Sequence, residues 1–141
     1  MYLLDTDHLS LLQTDDAPEK QRLLVRLNMA QADQFAASIV SFQEQTSGWN
    51  AYLNKARKRS ELIRGYSMLR IVVADYSYMQ LLDFDLAAAL QFELLRNQGI
   101  RIGTLDLRIA AIALVQDCTV LTRNLRDFRK VPGLKVEDWT L

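Results

Sequence analysis

A single cysteine, Cys118, lies in the apolar-flanked run Val-Gln-Asp-Cys-Thr-Val, which excludes an internal disulfide framework and a thiolate metal cluster. A reducing, cytosolic setting is the expectation. A single histidine, His8, has no second imidazole or thiol with which to build a zinc site, so it reads as structural. Neither sign of charge prevails. Seventeen basic residues offset seventeen acidic ones, and a net charge of zero supplies no overall pull toward nucleic acid or an anionic membrane. Any nucleic-acid chemistry must be local. No uncharged apolar run approaches the ~18 residues of a membrane span, and no basic stretch precedes the apolar start Met-Tyr-Leu-Leu-Asp, so the chain is expected to be soluble and unprocessed. Only five glycines, with no two-residue turn signal between apolar runs, argue against a hairpin-built β fold. What is present is 141 residues, 50% hydrophobic and 24% charged, enough for one domain over residues 1–141 with one substantial core.

Strand and helix signals alternate along it. Residues 2–4 are a short apolar run ending at Asp5, as in a buried parallel strand whose carboxyl end carries an acid. Thr6 or Asp7 is expected to cap a short helix over 8–12, and Leu23, Leu24, Leu27 and Ala30 recur at helical spacing within 18–33. A second strand over 35–40 leads to Ser41 as the N-cap of a helix to about residue 59. A further helix over 61–78 completes a helical hairpin standing off the sheet. A short strand over 81–84 precedes Asp85, the cap of a helix over 86–97 that stops before Gly99. Thr104 is the expected cap for residues 105–115, which are apolar nearly all round and must be buried. Strands over 119–122 and 135–137 finish an α/β pattern with a central, mainly parallel sheet.

In such sheets the ligand crevice lies beyond the carboxyl ends of the strands, near the point where strand order reverses. Asp5 after the first strand, Glu44 in the helix after the second, Asp106 at the start of the buried helix and the Thr122-Arg-Asn124 segment after the next strand would converge there. Each has a plain structural reading: a helix cap for Asp5, a helix-start acid for Glu44 and Asp106, a turn residue for Asn124. Taken together, oxygen ligands from four connections suit a hard divalent cation, which neutralises them, activates water and draws a phosphodiester.

The decade Met-Tyr-Leu-Leu-Asp-Thr-Asp-His-Leu-Ser resembles the opening of PIN-domain proteins, in particular VapC-type toxins, and the likeness continues in order along the chain. Ser38-Ile-Val-Ser-Phe-Gln-Glu44-Gln-Thr-Ser-Gly48, Ile102-Gly-Thr-Leu-Asp106-Leu-Arg-Ile-Ala-Ala111, Leu121-Thr-Arg-Asn124-Leu-Arg-Asp127-Phe128 and the ending Val131-Pro-Gly-Leu-Lys-Val-Glu-Asp-Trp139 are similar to the family's later motifs and closing turn. The resemblance implies a three-layer PIN-like α/β/α fold with a protruding helical hairpin. It also implies a Mg²⁺- or Mn²⁺-dependent endoribonuclease acting as a cytoplasmic toxin, dimeric and silenced by a cognate antitoxin. By position, Asp5, Glu44 and Asp106 become the metal-binding, catalytic acids. Asn124 falls where some members carry a fourth acid, implying contact through water. Thr122 becomes a polar neighbour, and Asp127 a loop or helix-start residue.

The chain departs from the family pattern at Asp7, where asparagine is usual, and at Gln45, where the family has leucine after its glutamate. The basic run Lys55, Arg57, Lys58 and Arg59, with Arg64 beyond it, is either a solvated helix end or an RNA-backbone contact. Trp49, Tyr52, Phe92 and Trp139 read as core or dimer-interface residues rather than base-stacking ones. Two rival readings remain. Asp5-Thr-Asp7 is similar to the Asp-x-Asp start of haloacid-dehalogenase-type phosphatases, although Leu9 replaces the expected threonine and residues 100–124 contain no lysine and no adjacent acidic pair. A PIN-like binding module without catalysis is the other, against which the three retained acids argue.

Overall fold

Paired apolar residues on very short strands decide the layering. Successive strand side chains point to opposite faces, so Leu3 and Leu4, Ala36 and Ala37, and Val120 and Leu121 divide between two cores, one on each side of the sheet. The computed structural model describes residues 1–141. Strands β1 (Tyr2–Leu4), β2 (Phe35–Ser38), β3 (Gln80–Leu82), β4 (Thr119–Leu121) and β5 (Lys135–Glu137) form one sheet in the order β3-β2-β1-β4-β5, every pair parallel.

Helices α1 (Thr6–Leu12), α2 (Pro18–Met29), α3 (Ile39–Lys55) and α4 (Arg59–Tyr78) make the crossovers from β1 out to β3. Helices α5 (Leu86–Asn97) and α6 (Thr104–Val115) carry the chain back to β4 beside β1, and α7 (Leu125–Phe128) leads to β5. Parallel crossovers are right-handed, so reversing direction across the sheet puts the returning helices on the opposite face. Leu9, Leu23, Val72 and Tyr76 accordingly fill one core, while Ala88, Phe92, Leu95 and the six buried residues of α6 fill the other. The switch in strand direction falls between β1 and β4, where a crevice opens at the carboxyl edge.

The hairpin of α3 and α4 is anchored at its base by Val40, Ser41 and Gln45 on one helix and Val72 and Tyr76 on the other, while its far end is exposed. Gly65 lets the two helices approach, because a Cβ there would run into the side chain of Leu53. No helix is long and apolar enough to cross a membrane.

Several boundaries differ from the sequence expectation, and the caps explain most of them. Asp5, rather than Thr6 or Asp7, is the N-cap of α1, since the chain turns helical at once after β1 and the Asp5 carboxylate accepts from the Thr6 N–H. Ser38, rather than Ser41, caps α3: its hydroxyl accepts from the Ser41 N–H at 3.0 Å, so β2 is shorter and Ile39 and Val40 are helical, with Val40 in the core. Gly103 precedes α6 without a side-chain cap, and Thr104 is already inside the helix. Helix α4 begins at Arg59 because Glu61 reaches back to accept the Lys58 N–H at 3.0 Å. Helix α2 stops at Met29, and a 3-10 turn over Ala32–Gln34 leads into β2. Strand β4 ends at Leu121, leaving Thr122 just beyond it.

Candidate active site

Asp5 is the first residue past β1 and Thr122 the first past β4, and because these strands are neighbours their side chains meet. The Thr122 hydroxyl donates to Asp5 Oδ2 at 2.9 Å, and the Thr6 N–H donates to Oδ1 at 2.8 Å. The Asn124 N–H in turn donates to Thr122 Oγ1 at 3.0 Å, fixing that hydroxyl from behind. Asp5 is only 5% exposed. Burial, then the charge of Asp7, raise its carboxyl from an ordinary 3.8 to about 7, against the lowering effect of its bonds from Thr122 and Thr6.

The other acids are held in the same manner. On α3, Glu44 Oε2 accepts from the Thr6 hydroxyl at 2.8 Å. Asp106, in the first turn of α6, accepts through Oδ2 from the Asn124 amide at 3.3 Å, and that amide also donates to Asp127 at 3.2 Å. Burial and the nearby Glu44 raise the Asp106 carboxyl above its usual range, and Asp106 itself adds to the upward push on Asp5. The three acids singled out in the sequence therefore share one field. Each is held by a hydroxyl or amide from another segment, leaving Glu44 Oε1 and Asp106 Oδ1 without a protein donor.

Asp7 is spoken for. Its Oδ2 accepts the Arg123 N–H at 2.9 Å, and its Oδ1 accepts from His8 Nδ1 at 2.8 Å. His8 is fully buried, and its Nε2 accepts the Trp139 N–H at 3.3 Å, so the ring is the neutral Nδ1–H tautomer. An aspartate uses both oxygens here where an asparagine would offer one, which accounts for the departure at this position.

A cavity of about 710 Å³ opens beside this cluster between α1, α3 and α4, running from Thr6 and Glu44 to Trp49, Tyr52 and Arg64. Sequence reasoning missed its floor. Gln45, only 6% exposed, exchanges two hydrogen bonds with Gln13 at 2.9 and 3.2 Å and donates to Ser10 at 2.9 Å. Thr6 was also missed, although a hydroxyl next to a strand-end acid is the signal that could have marked it. Trp139 and Phe92 are core residues as expected. Trp49 packs against the core at its edge and also lines the cavity, which Tyr52 lines as well. Lys55, Arg57, Lys58 and Arg59 are exposed at the far end of the hairpin, and α3 rises about 16 Å from Glu44 to Lys55. The structure does not bring them to the acids.

The donors suit a hard divalent cation: carboxylate oxygens, a neutral amide and hydroxyls, with two carboxyls pushed upward by burial and like charge that a cation would counter. No three acidic or imidazole side chains are gathered into a closed ligand set, so the fit rests on donor chemistry and on the shared field.

The PIN domain family model matches residues 2–134. The tRNA(fMet)-specific endonuclease VapC of Salmonella typhimurium is 35% identical over 75 residues, spanning 50% of this chain and 57% of that protein, so the match covers little more than half of that relative's length. Ribonuclease VapC2 of Rickettsia felis is 26% identical over 143 aligned residues, covering 99% of this chain and 98% of that one. Among solved structures, VapBC-1 from nontypeable Haemophilus influenzae aligns with a TM-score of 0.77 at 21% identity over 99% of this chain and 98% of that one. VapBC2 from Rickettsia felis, bound to a DNA fragment from their promoter, aligns at 0.71 and 24% over 98% of each. With a match running from the first strand nearly to the last, over a fold these structures share, the chain belongs to the PIN domain family.

Proposed function

We propose that the protein is a divalent-metal-dependent endoribonuclease, Mg²⁺ or Mn²⁺ being the ion, and the toxin of a toxin–antitoxin pair. The observation that carries this is the acid cluster. Asp5, Glu44 and Asp106 reach the carboxyl edge of the sheet from three separate connections; burial, with the charge of Asp106 acting on Asp5 and of Glu44 on Asp106, disfavours the ionised forms of Asp5 and Asp106 there, an arrangement that costs stability and has a use once a cation is bound. Asp5, Glu44 and Asp106 would hold the ion directly and Asn124 through water; the ion supplies an activated water and positive charge for the phosphodiester. Thr6, Thr122 and Asn124 hold the carboxylates in place. Thr122 keeps one proton on the Asp5 side, and Asn124 braces Asp106 and Asp127 with one amide group.

The relatives, a tRNA(fMet)-specific endonuclease and a ribonuclease, support RNA as substrate, and the VapBC structures that share the fold support a protein antitoxin as partner. Leu86, Leu90 and Leu94 form an exposed apolar ridge on α5 that suits the homodimer expected of this chain. The basic residues Lys55, Arg57, Lys58 and Arg59 are left as a distant backbone contact for a long RNA.

The test is cleavage of total RNA, and of purified transfer and ribosomal RNA, with Mn²⁺, Mg²⁺ or EDTA, beside Asp5→Asn. Discrete, metal-dependent products from the wild type alone are expected. Equal cutting by Asp5→Asn, or cutting in EDTA, would refute the assignment. Absence of both cutting and Mn²⁺-dependent thermal stabilisation would favour a binding module.

A further inference from the structure

The cleft beside Glu44 has a shape and chemistry that the hydrolytic step does not use. Its α3 wall contains Gly48, in the middle of a seventeen-residue helix. Glycine there disfavours the helix, and a Cβ at this position would meet nothing within 4 Å. Packing therefore does not require the residue. Its effect is to leave open the space one helical turn beyond Glu44. Trp49 follows Gly48 directly; the Arg64 guanidinium of α4 lies 5.7 Å over its ring, and Tyr52 meets that indole edge-on at 5.4 Å. Arg64 makes no ion pair or side-chain hydrogen bond, so this planar platform is free to receive another flat group. In the same cleft, the Ser10 hydroxyl accepts from Gln45 and has its proton to give, while the carbonyls of Gln13 and Gln45 each keep a lone pair.

A stacking surface in one cleft with mixed donors and acceptors matches an unstacked nucleobase, the element by which single-stranded RNA is read. The volume suits a base with its sugar. Continuity settles the rest: Thr6 and Glu44 belong both to the cleft wall and to the acid cluster, so a strand crossing the acids has a neighbouring nucleotide at the cleft mouth.

We infer that the cleft between α1, α3 and α4 is a nucleobase subsite, in which one unpaired base next to the scissile phosphate stacks on the Trp49–Arg64 platform and is read by Ser10, Gln13 and Gln45. This rests on the ribonuclease reading, and makes the enzyme selective for one position along a single-stranded segment.

The experiment is an abasic walk. A short RNA spanning the mapped cleavage site is made with each base removed in turn and cut by wild type, Trp49→Ala and Gly48→Leu, thermal midpoints confirming that the variants fold. Expected for wild type is one position at which base removal lowers kcat/KM about tenfold or more. Trp49→Ala and Gly48→Leu should already be lowered by that factor on intact RNA and lose nothing further from the missing base. A walk with no sensitive position, or a penalty that persists undiminished in Trp49→Ala, overturns the subsite and leaves the nuclease standing. Wild-type rates for both variants combined with escape from the antitoxin also overturn it, assigning the cleft to the protein partner. Should the wild type cut no RNA, the nuclease reading fails separately. The cleft is then judged in EDTA by fluorescence: quenching by single-stranded RNA in wild type but not in Trp49→Phe supports base binding, and no quenching overturns it.

Discussion

Replacing Asp5 by asparagine should make the metal-free protein more stable while removing the proposed activity. The Asp5 carboxyl rises from 3.8 to about 7 on folding, a little over three units, and at 1.36 kcal/mol per unit this corresponds to about 4 kcal/mol. The sign follows from which state holds the proton. Between pH 4 and 7 the unfolded chain has released it and the folded chain has not, so folding takes up a proton and stability falls as pH rises; above 7 both states are ionised and the penalty is constant. Asparagine escapes it. Its carbonyl can still accept the Thr6 N–H, and its amide can donate to Thr122 Oγ1 while that hydroxyl turns to Asp7 Oδ2, already 3.3 Å away. Urea unfolding in EDTA should show Asp5→Asn within about 1 kcal/mol of wild type at pH 4 and up to about 4 kcal/mol more stable at pH 8. Mn²⁺ should narrow the gap by stabilising wild type alone. An asparagine variant no more stable than wild type at pH 8, or a gap that does not widen between pH 5 and 8, would refute the view of Asp5 as a buried, repelled carboxylate.

Two further outcomes follow from packing and unmet bonds. Gly65→Ala should cost about 1–3 kcal/mol because its Cβ meets Leu53, whereas Gly48→Ala should add up to about 1 kcal/mol; shifts of the same sign in urea midpoint would contradict the packing assigned to the hairpin. The Tyr76 hydroxyl is buried without a partner and its ionisation is suppressed by burial and then by Glu44, so Tyr76→Phe should stabilise by about 1 kcal/mol. A loss of stability in the same unfolding assay would show that the hydroxyl has a partner.

Features carried by periodicity and local chemistry were legible in the sequence. The all-round apolar run became the buried helix α6, Asp85 caps α5 through a bond from Ala88 at 3.0 Å, and the alternation of strands and helices gave the parallel sheet. Asp5, Glu44 and Asp106 were legible as oxygen donors because strand ends in parallel sheets converge on one edge. What was not legible depended on contacts between segments far apart in the chain. Gln45 looks like a solvated helix residue until α1 is laid over it and its amide pairs with Gln13. Trp49 and Tyr52 have the spacing of core residues, and Trp49 does touch the core, but that both also line a cleft depends on α1 and α4 lying beside α3. Asp7 reads in the sequence only as a departure from the family's asparagine, and its partners, the Arg123 N–H and the His8 ring, appear only in the fold. Caps were misplaced because Thr6, Ser41 and Thr104 are all acceptable capping types, and the choice among neighbours is made by where each strand stops.

The bracing of Asp5, Asp7 and His8 has a consequence for the order of events during synthesis. Their partners are Thr122, Arg123 and Trp139, which reach across the whole chain to its first decade. Domains acquire such long-range contacts after local ones, and a ribosome delivers the N-terminal residues first. A nascent chain can therefore form its helices early while Asp5 still lacks the hydroxyl that holds it. The acid cluster is assembled only when the segment from Thr119 to Trp139 has emerged and docked, so a chain still being translated carries these acids unbraced and apart.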